Sequence, residues 1–261
     1  PFNFPGHLPN GHIVPALLAG NTCVFKPSEL APGVAFHMAE AFAAAGLPEG
    51  CLNIVHGGRE TGGALLNADI NGLLFTGSAA TGVFFHKHFA GRPEVILALE
   101  MGGNNPLIIW DPADVDAAAD IAAQSAFLTT GQRCSCARRV ILPEGAWGDQ
   151  VTEAIIARAE GLAIGAWDED GVFMGPLVSQ KAAVNAVEFQ DMLLARGGRA
   201  LKSLERLDRG GGFVSAGVID VTGATDIPDE ELFGPVMQII RVPDFDQAIA
   251  RANATRYGLS G

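Results

Sequence analysis

Apolar residues in the first hundred positions come in short solid runs, separated by stretches with helical spacing. "NTCVFK" (21–26), "CLNIVHG" (51–57), "NGLLFTG" (71–77) and "EVILALE" (94–100) read as strands. Between them, "APGVAFHMAEAFAAAG" (31–46), "ETGGALLN" (60–67) and "SAATGVFFHKHF" (78–89) read as helices. Pro32 suits the first turn of its helix and Gly46 suits its end. Strands alternating with helices predict parallel βαβ units, and therefore an α/β sheet. The runs are solid, so the strands are expected to be covered on both faces.

The pattern continues beyond Met101. "PLIIW" (106–110), "RRVILPE" (138–144) and "PVMQIIRV" (235–242) read as strands. A long alanine-rich helix follows "DPADVD", with Asp111 or Asp114 as N-cap and Gly131 as its stop. Further helices are predicted around 147–160, 179–196 and 245–253, and residues 196–217 read as strand and loop. The glycine pair Gly102–Gly103 marks the predicted boundary, giving domains 1–101 and 102–261.

Composition narrows the function classes. The chain has 261 residues, enough for a sizeable core, and 18% charged residues fit a globular protein. A formal charge of −12 argues against nucleic acid as the main partner. No apolar run is long enough to span a bilayer, and no signal-like segment opens the sequence, so the expected setting is cytoplasmic. The first residue is Pro1 and the last are "RYGLSG", which suggests a piece of a longer protein.

Four places carry candidate chemistry. In "FTGSAATG" (75–82) a strand turns at Gly77 into a helix beginning near Ser78, with Gly82 five residues on. Such a helix start suits a phosphate, though an ordinary tight turn has the same look. In "VFKPSE" (24–29), Lys26 and Glu29 follow a strand, where ligands of open α/β sheets bind. Glu29 can accept from a ribose diol and would repel a 2′-phosphate; a solvated surface pair is the plainer reading. In "LEMGGNN" (99–105), Glu100 ends an apolar strand. Burial there would raise its pKa and suit a general base, unless a lysine pairs with it.

The fourth place is "TTGQRCSCARR" (129–139). A zinc site would need more ligands, and His86 and His88 face different sides of a helix. A disulfide across one residue would be strained. Cys134 follows the helix stop and is the better candidate thiol; Cys136 begins a strand and reads as packing. Cys23 and Cys51 read as small buried hydrophobes.

Taken in order, "PFNFPGHLP", "FKPSE", "FTGS…TG", "LEMGGNNP", "GQRC" and "EELFGPV" resemble the aldehyde dehydrogenase superfamily over the whole chain. The resemblance implies a Rossmann-like NAD-binding parallel sheet in residues 1–101. It implies an α/β catalytic domain in residues 102–261, both partial, with the fold truncated at each end. It implies Cys134 as nucleophile, Glu100 as general base and Asn3 as the side-chain half of an oxyanion hole. It also implies Lys26 and Glu29 at the adenosine ribose, and Gly77, Ser78 and Gly82 at the diphosphate. Glu231 and Phe233 would meet the nicotinamide ribose and ring. The implied cofactor is NAD, the partner a small-molecule aldehyde, and the full-length parent a homo-oligomer. Phe2 and Asn104 depart from the tryptophan and lysine of many members. A dianionic aldehyde is expected, and Arg133, Arg138 or Arg139 could read its carboxylate, although structural pairing of these arginines is the plainer expectation. Two other readings are an inactive fragment that binds nucleotide and a cofactor-free thiol esterase.

Overall fold

The computed structural model describes residues 1–261, which divide into two units, Pro1–Met101 and Gly102–Gly261. The first contains α1 (His7–Leu18), β1 (Cys23–Phe25), α2 (Pro32–Ala44), β2 (Leu52–Ile54), α3 (Arg59–Leu66), β3 (Gly72–Gly77), α4 (Ala79–His88) and β4 (Ile96–Met101). β1 pairs with β2 and β3 with β4, both in parallel, as separate two-stranded sheets. α2 begins on Pro32, whose fixed φ suits the first turn, and gives way at Gly46 with φ 84°. α4 is capped by Ser78, whose Oγ accepts from Thr81 N–H at 3.3 Å. α1 was not expected from the sequence. It carries Gly11 and Pro15, and the burial of Pro9 and Ile13 holds it in place.

The expectation that these strands are covered on both faces does not hold in the first unit. Leu74 on β3 and Ile96 on β4 stand exposed, the latter by 70%. Leu73 and Leu97 instead pack toward Leu66, Phe85, Phe89 and Val95, so only one face of the β3–β4 pair is covered. Cys23 and Cys51 are partly exposed rather than buried.

The second unit is built on β5 (Asn105–Ile108), β6 (Ala137–Pro143), β7 (Arg199–Lys202), β8 (Gly217–Asp220) and β9 (Val236–Val242). Their order is β5-β6-β9-β8-β7, parallel except for β7 against β8. α5 (Val115–Phe127) and α6 (Ala146–Glu160) cover one face. There Val140, Leu142, Val218, Met237 and Ile239 pack with Ala122, Phe127, Val151 and Ile155. α7 (Gln180–Ala195) and α8 (Phe245–Asn253) cover the other. There Ile141, Ile219, Val236, Ile240 and Val242 meet Ala186, Leu193 and Ala248. Successive residues of one strand thus serve opposite cores, which is why β6 and β9 are solid apolar runs.

Asp114 caps α5 by accepting from Ala117 N–H at 3.0 Å. The helix ends at Phe127, ahead of the expected stop at Gly131. A 3₁₀ turn, Leu128–Gly131, follows, in which Thr129, Thr130 and Gly131 take φ of 59°, 58° and 66°. Two β-branched residues in the left-handed region store strain, on the order of 1–3 kcal/mol each. Thr130 Oγ1 donates to Gly175 O at 2.8 Å and Arg133 Nε to Thr129 Oγ1 at 2.9 Å, which holds the turn.

Candidate active site

The strained turn delivers Cys134. It is partly exposed, while Cys136, two residues on, is buried at the entrance to β6. Burial pushes the Cys136 thiol above its ordinary pKa, against the opposing charge of Arg138. Asn105 fastens both peptides, its Nδ2 donating to Cys134 O at 2.7 Å and to Cys136 O at 2.9 Å. Gln132 Oε1 accepts from Val178 N–H at 2.9 Å. Gly131 lies so close to the next segment that a Cβ there would sit 2.3 Å from Gly234 O.

Arg138 sits behind this turn, 2% exposed. Its Nη1 donates to Gly131 O at 2.6 Å and Gly234 O at 3.2 Å, and its Nη2 to Arg133 O at 2.8 Å. Glu231 Oε1 is 3.7 Å from Nη2, and the guanidinium carbon is 5.6 Å from the Phe233 ring centroid. Glu231 also accepts from Gly103 N–H at 3.2 Å. Burial raises the Glu231 carboxyl above its ordinary value, partly offset by Arg138 and by that N–H. Arg139 is spent in a similar way, donating to Asn104 O, Arg251 O and Ala252 O. Both arginines are therefore structural, and neither is available to a substrate. Arg133 is placed differently. Its Nε donates to Thr129 Oγ1, and it lines a cavity of about 280 Å³ with Gln124, Ser125, Leu128, Ser135 and Cys136.

In the first unit the candidates gather at carboxyl ends of parallel strands. Lys26, just past β1, donates to Gly57 O at 2.8 Å and Pro27 O at 2.9 Å and stands 3.8 Å from Glu29. Glu29 is the exposed partner. Gly77 ends β3 beside Met101, and Thr76 lies opposite Glu100. A Cβ on Gly82 would meet Met101 Sδ at 2.2 Å, so this glycine lets α4 pack closely on β4. The first turn of α4 has no acidic residue, and its Thr81 N–H is taken by the Ser78 cap. Glu100 corrects one expectation: it ends β4 exposed to solvent, not buried. Asn3 lies ahead of α1 and is partly exposed.

The model of the aldehyde dehydrogenase family matches residues 1–261. The chain belongs to the aldehyde dehydrogenase family. It is 58% identical over 261 residues to the N-succinylglutamate 5-semialdehyde dehydrogenase of Caulobacter sp. (strain K31), covering 100% of this chain and 53% of that protein. The enzyme of the same name from Serratia proteamaculans (strain 568) is 56% identical, with 100% and 54% covered. The chain thus spans about half the length of these curated relatives. Among solved structures, a Sinorhizobium meliloti 1021 protein complexed with NAD superposes with TM-score 0.93 at 29% identity, over 99% of this chain and 54% of that one.

Within this family member, sequence reasoning missed Asn105, whereas the structural pairing expected for Arg138 is present. The doubled asparagine in "LEMGGNNP" was a visible signal for the first, because a polar residue inside an apolar strand start needs partners. The partners of Arg138 and its depth of burial had no such signal, because they depend on the strand proving central. No three His, Cys, Asp or Glu side chains cluster within reach of a common metal ion. No helix is long and apolar enough to cross a membrane.

Proposed function

We propose that the protein containing this chain oxidises an aldehyde to a carboxylic acid with NAD, and that its substrate is N-succinylglutamate 5-semialdehyde. The observation that carries the reading is Cys134 itself, a partly exposed thiol on a strained turn fastened by Asn105 and Arg138. The names of the relatives support the substrate.

In this reading Cys134 Sγ attacks the aldehyde carbon as a thiolate, forming a C–S bond. The oxygen that becomes negative is held by the Asn3 amide and by the backbone N–H of Cys134. Loss of one such donor costs roughly 10²–10³ in rate. Bound NAD contributes a hydride acceptor, which leaves an acyl thioester on Cys134. Glu100, exposed and so reachable by water, takes a proton from a water molecule whose oxygen attacks the acyl carbon. The C–S bond breaks, the acid leaves, and Cys134 returns as thiolate. Cofactor residues fit the same reading. The α4 start with its Ser78 cap takes the diphosphate, Lys26 and Glu29 the adenosine ribose, and Glu231 and Phe233 the nicotinamide end. The Glu29 carboxylate favours NAD over NADP, because it would repel a 2′-phosphate.

That the chain spans about half the length of its relatives favours a second reading for this stretch alone: nucleotide binding without turnover. One assay separates them. NADH formation at 340 nm with N-succinylglutamate 5-semialdehyde is measured for the chain, Cys134→Ala and Cys136→Ala. Activity lost only in Cys134→Ala supports the dehydrogenase. Silence from a folded chain supports the second reading, and equal loss in both variants refutes Cys134 as nucleophile.

A further inference from the structure

One guanidinium touches both halves of the second unit's site. Two of its acceptors, Gly131 O and Arg133 O, lie on the turn that carries Cys134. Its other contacts, Gly234 O, the Glu231 carboxylate and the Phe233 ring, lie on the segment after Asp229. We propose that Arg138 is a positioning residue, whose buried guanidinium holds the Cys134 turn against the Glu231–Gly234 segment and sets a cation beside the Glu231 carboxylate. This rests on the reading that Cys134 is the nucleophile and that Glu231 meets a ribose.

The geometry requires an arginine. Three carbonyl oxygens and a carboxylate are reached by the two Nη atoms of one planar fork, in several directions at once. A lysine ammonium could keep the charge near Glu231 but could not span both segments. Burying a cation at 2% exposure is costly unless it is paired and hydrogen-bonded, and here the pairing converges on the two strips of chain that carry the proposed chemistry. Facing Glu231 are Arg138, from β6, and the Gly103 N–H, which precedes β5. The Cys134 and Cys136 thiols lie in the field of the same guanidinium. Burial works against the Glu231 anion, and Arg138 is the charge that opposes it. A ribose diol donates two hydroxyl protons, and the ionised carboxylate, an acceptor at both oxygens, holds them more strongly than the protonated form, which spends one oxygen as a donor. Without Arg138, Glu231 protonates at higher pH, and nucleotide affinity falls as pH is lowered through that value.

The test compares the 261-residue chain with Arg138→Met, Arg138→Gln and Arg138→Lys, each checked for folding by tryptophan fluorescence. Glu231 is titrated by carboxyl ¹³C NMR, its signal assigned with Glu231→Gln. The Met and Gln variants should raise the Glu231 midpoint by roughly 1–3 pH units, and Lys should return it most of the way. A merely structural role would lower stability in all three without this charge-dependent pattern. If Arg138→Met does not fold, Arg138→Gln, which keeps donors but no charge, decides alone. An unchanged midpoint in a folded Met or Gln variant overturns the proposal. A raised midpoint in a chain that forms no NADH would leave the positioning role standing while removing turnover by this stretch alone. NADH formation with an unmoved midpoint would do the reverse.

Discussion

Replacing Gly131 with alanine tests whether the turn before Cys134 is as tightly defined as its geometry implies. Two costs add. At φ 66° a β-carbon clashes with its own backbone, about 1–2 kcal/mol. The new atom would also stand 2.3 Å from Gly234 O, 2.5 Å from Gly234 C and 2.9 Å from Pro235 N. These are backbone atoms that cannot rotate away, and such overpacking costs about 1–3 kcal/mol. The expected destabilisation is therefore about 2–5 kcal/mol, a large part of the ~5–15 kcal/mol by which domains are stable. Relief by separating the segments would stretch the Arg138 bonds to Gly131 O and Gly234 O, so it is not cheap. Urea unfolding followed by tryptophan fluorescence is the assay. Trp110, Trp147 and Trp167 all lie in the second unit, so the signal reports that unit alone. A midpoint shift worth less than about 1 kcal/mol at unchanged slope would refute the reasoning.

Two further outcomes are expected. If Arg133 reads the carboxylate of the aldehyde from its cavity, Arg133→Ala should raise KM for the dianionic semialdehyde by about tenfold or more, as loss of a charged hydrogen bond does, and leave a neutral aldehyde unaffected; equal effects on both would sink that role. Asp229 gives a pH prediction. Burial pushes its carboxyl up, but hydrogen bonds from Arg256 N–H, Asn104 and Thr255 and the charge of Arg139 outweigh it, so the folded pKa is depressed. The associated stability is fully present above the ordinary carboxylate value near ~3.9 and is lost as pH falls through the lower folded value. The stability gap between the wild-type chain and Asp229→Asn should be constant at neutral pH and shrink on acidification; a gap that widens toward acid would contradict the sign.

Much of the fold is written in short-range pattern. Solid runs such as "RRVILPE" and "PVMQIIRV" became β6 and β9 because both their faces are buried, and Asp114 capped α5 as its side chain allowed. Pro32 and Gly46 bounded α2 through φ preferences that need no tertiary contact. The ordered motifs also carried the family, since spacing between short motifs survives in sequence whatever the packing. Other features depended on neighbours distant in the chain. α1 forms despite Gly11 and Pro15 because Pro9 and Ile13 are buried. α5 stops early because Thr129 and Thr130 are held in a conformation that their own propensities disfavour, by partners such as Gly175. The exposure of Glu100 and Ile96, and the burial of Arg138 against Glu231, follow from which strands are covered and which are central. Sequence alone thus determined most of the strand–helix order after α1, the bounds of α2 and the candidate thiol, because those rest on local backbone preference and residue chemistry. Tertiary structure decided which charges are buried and what holds the thiol's turn, because desolvation and hydrogen-bond satisfaction depend on atoms that meet only after folding.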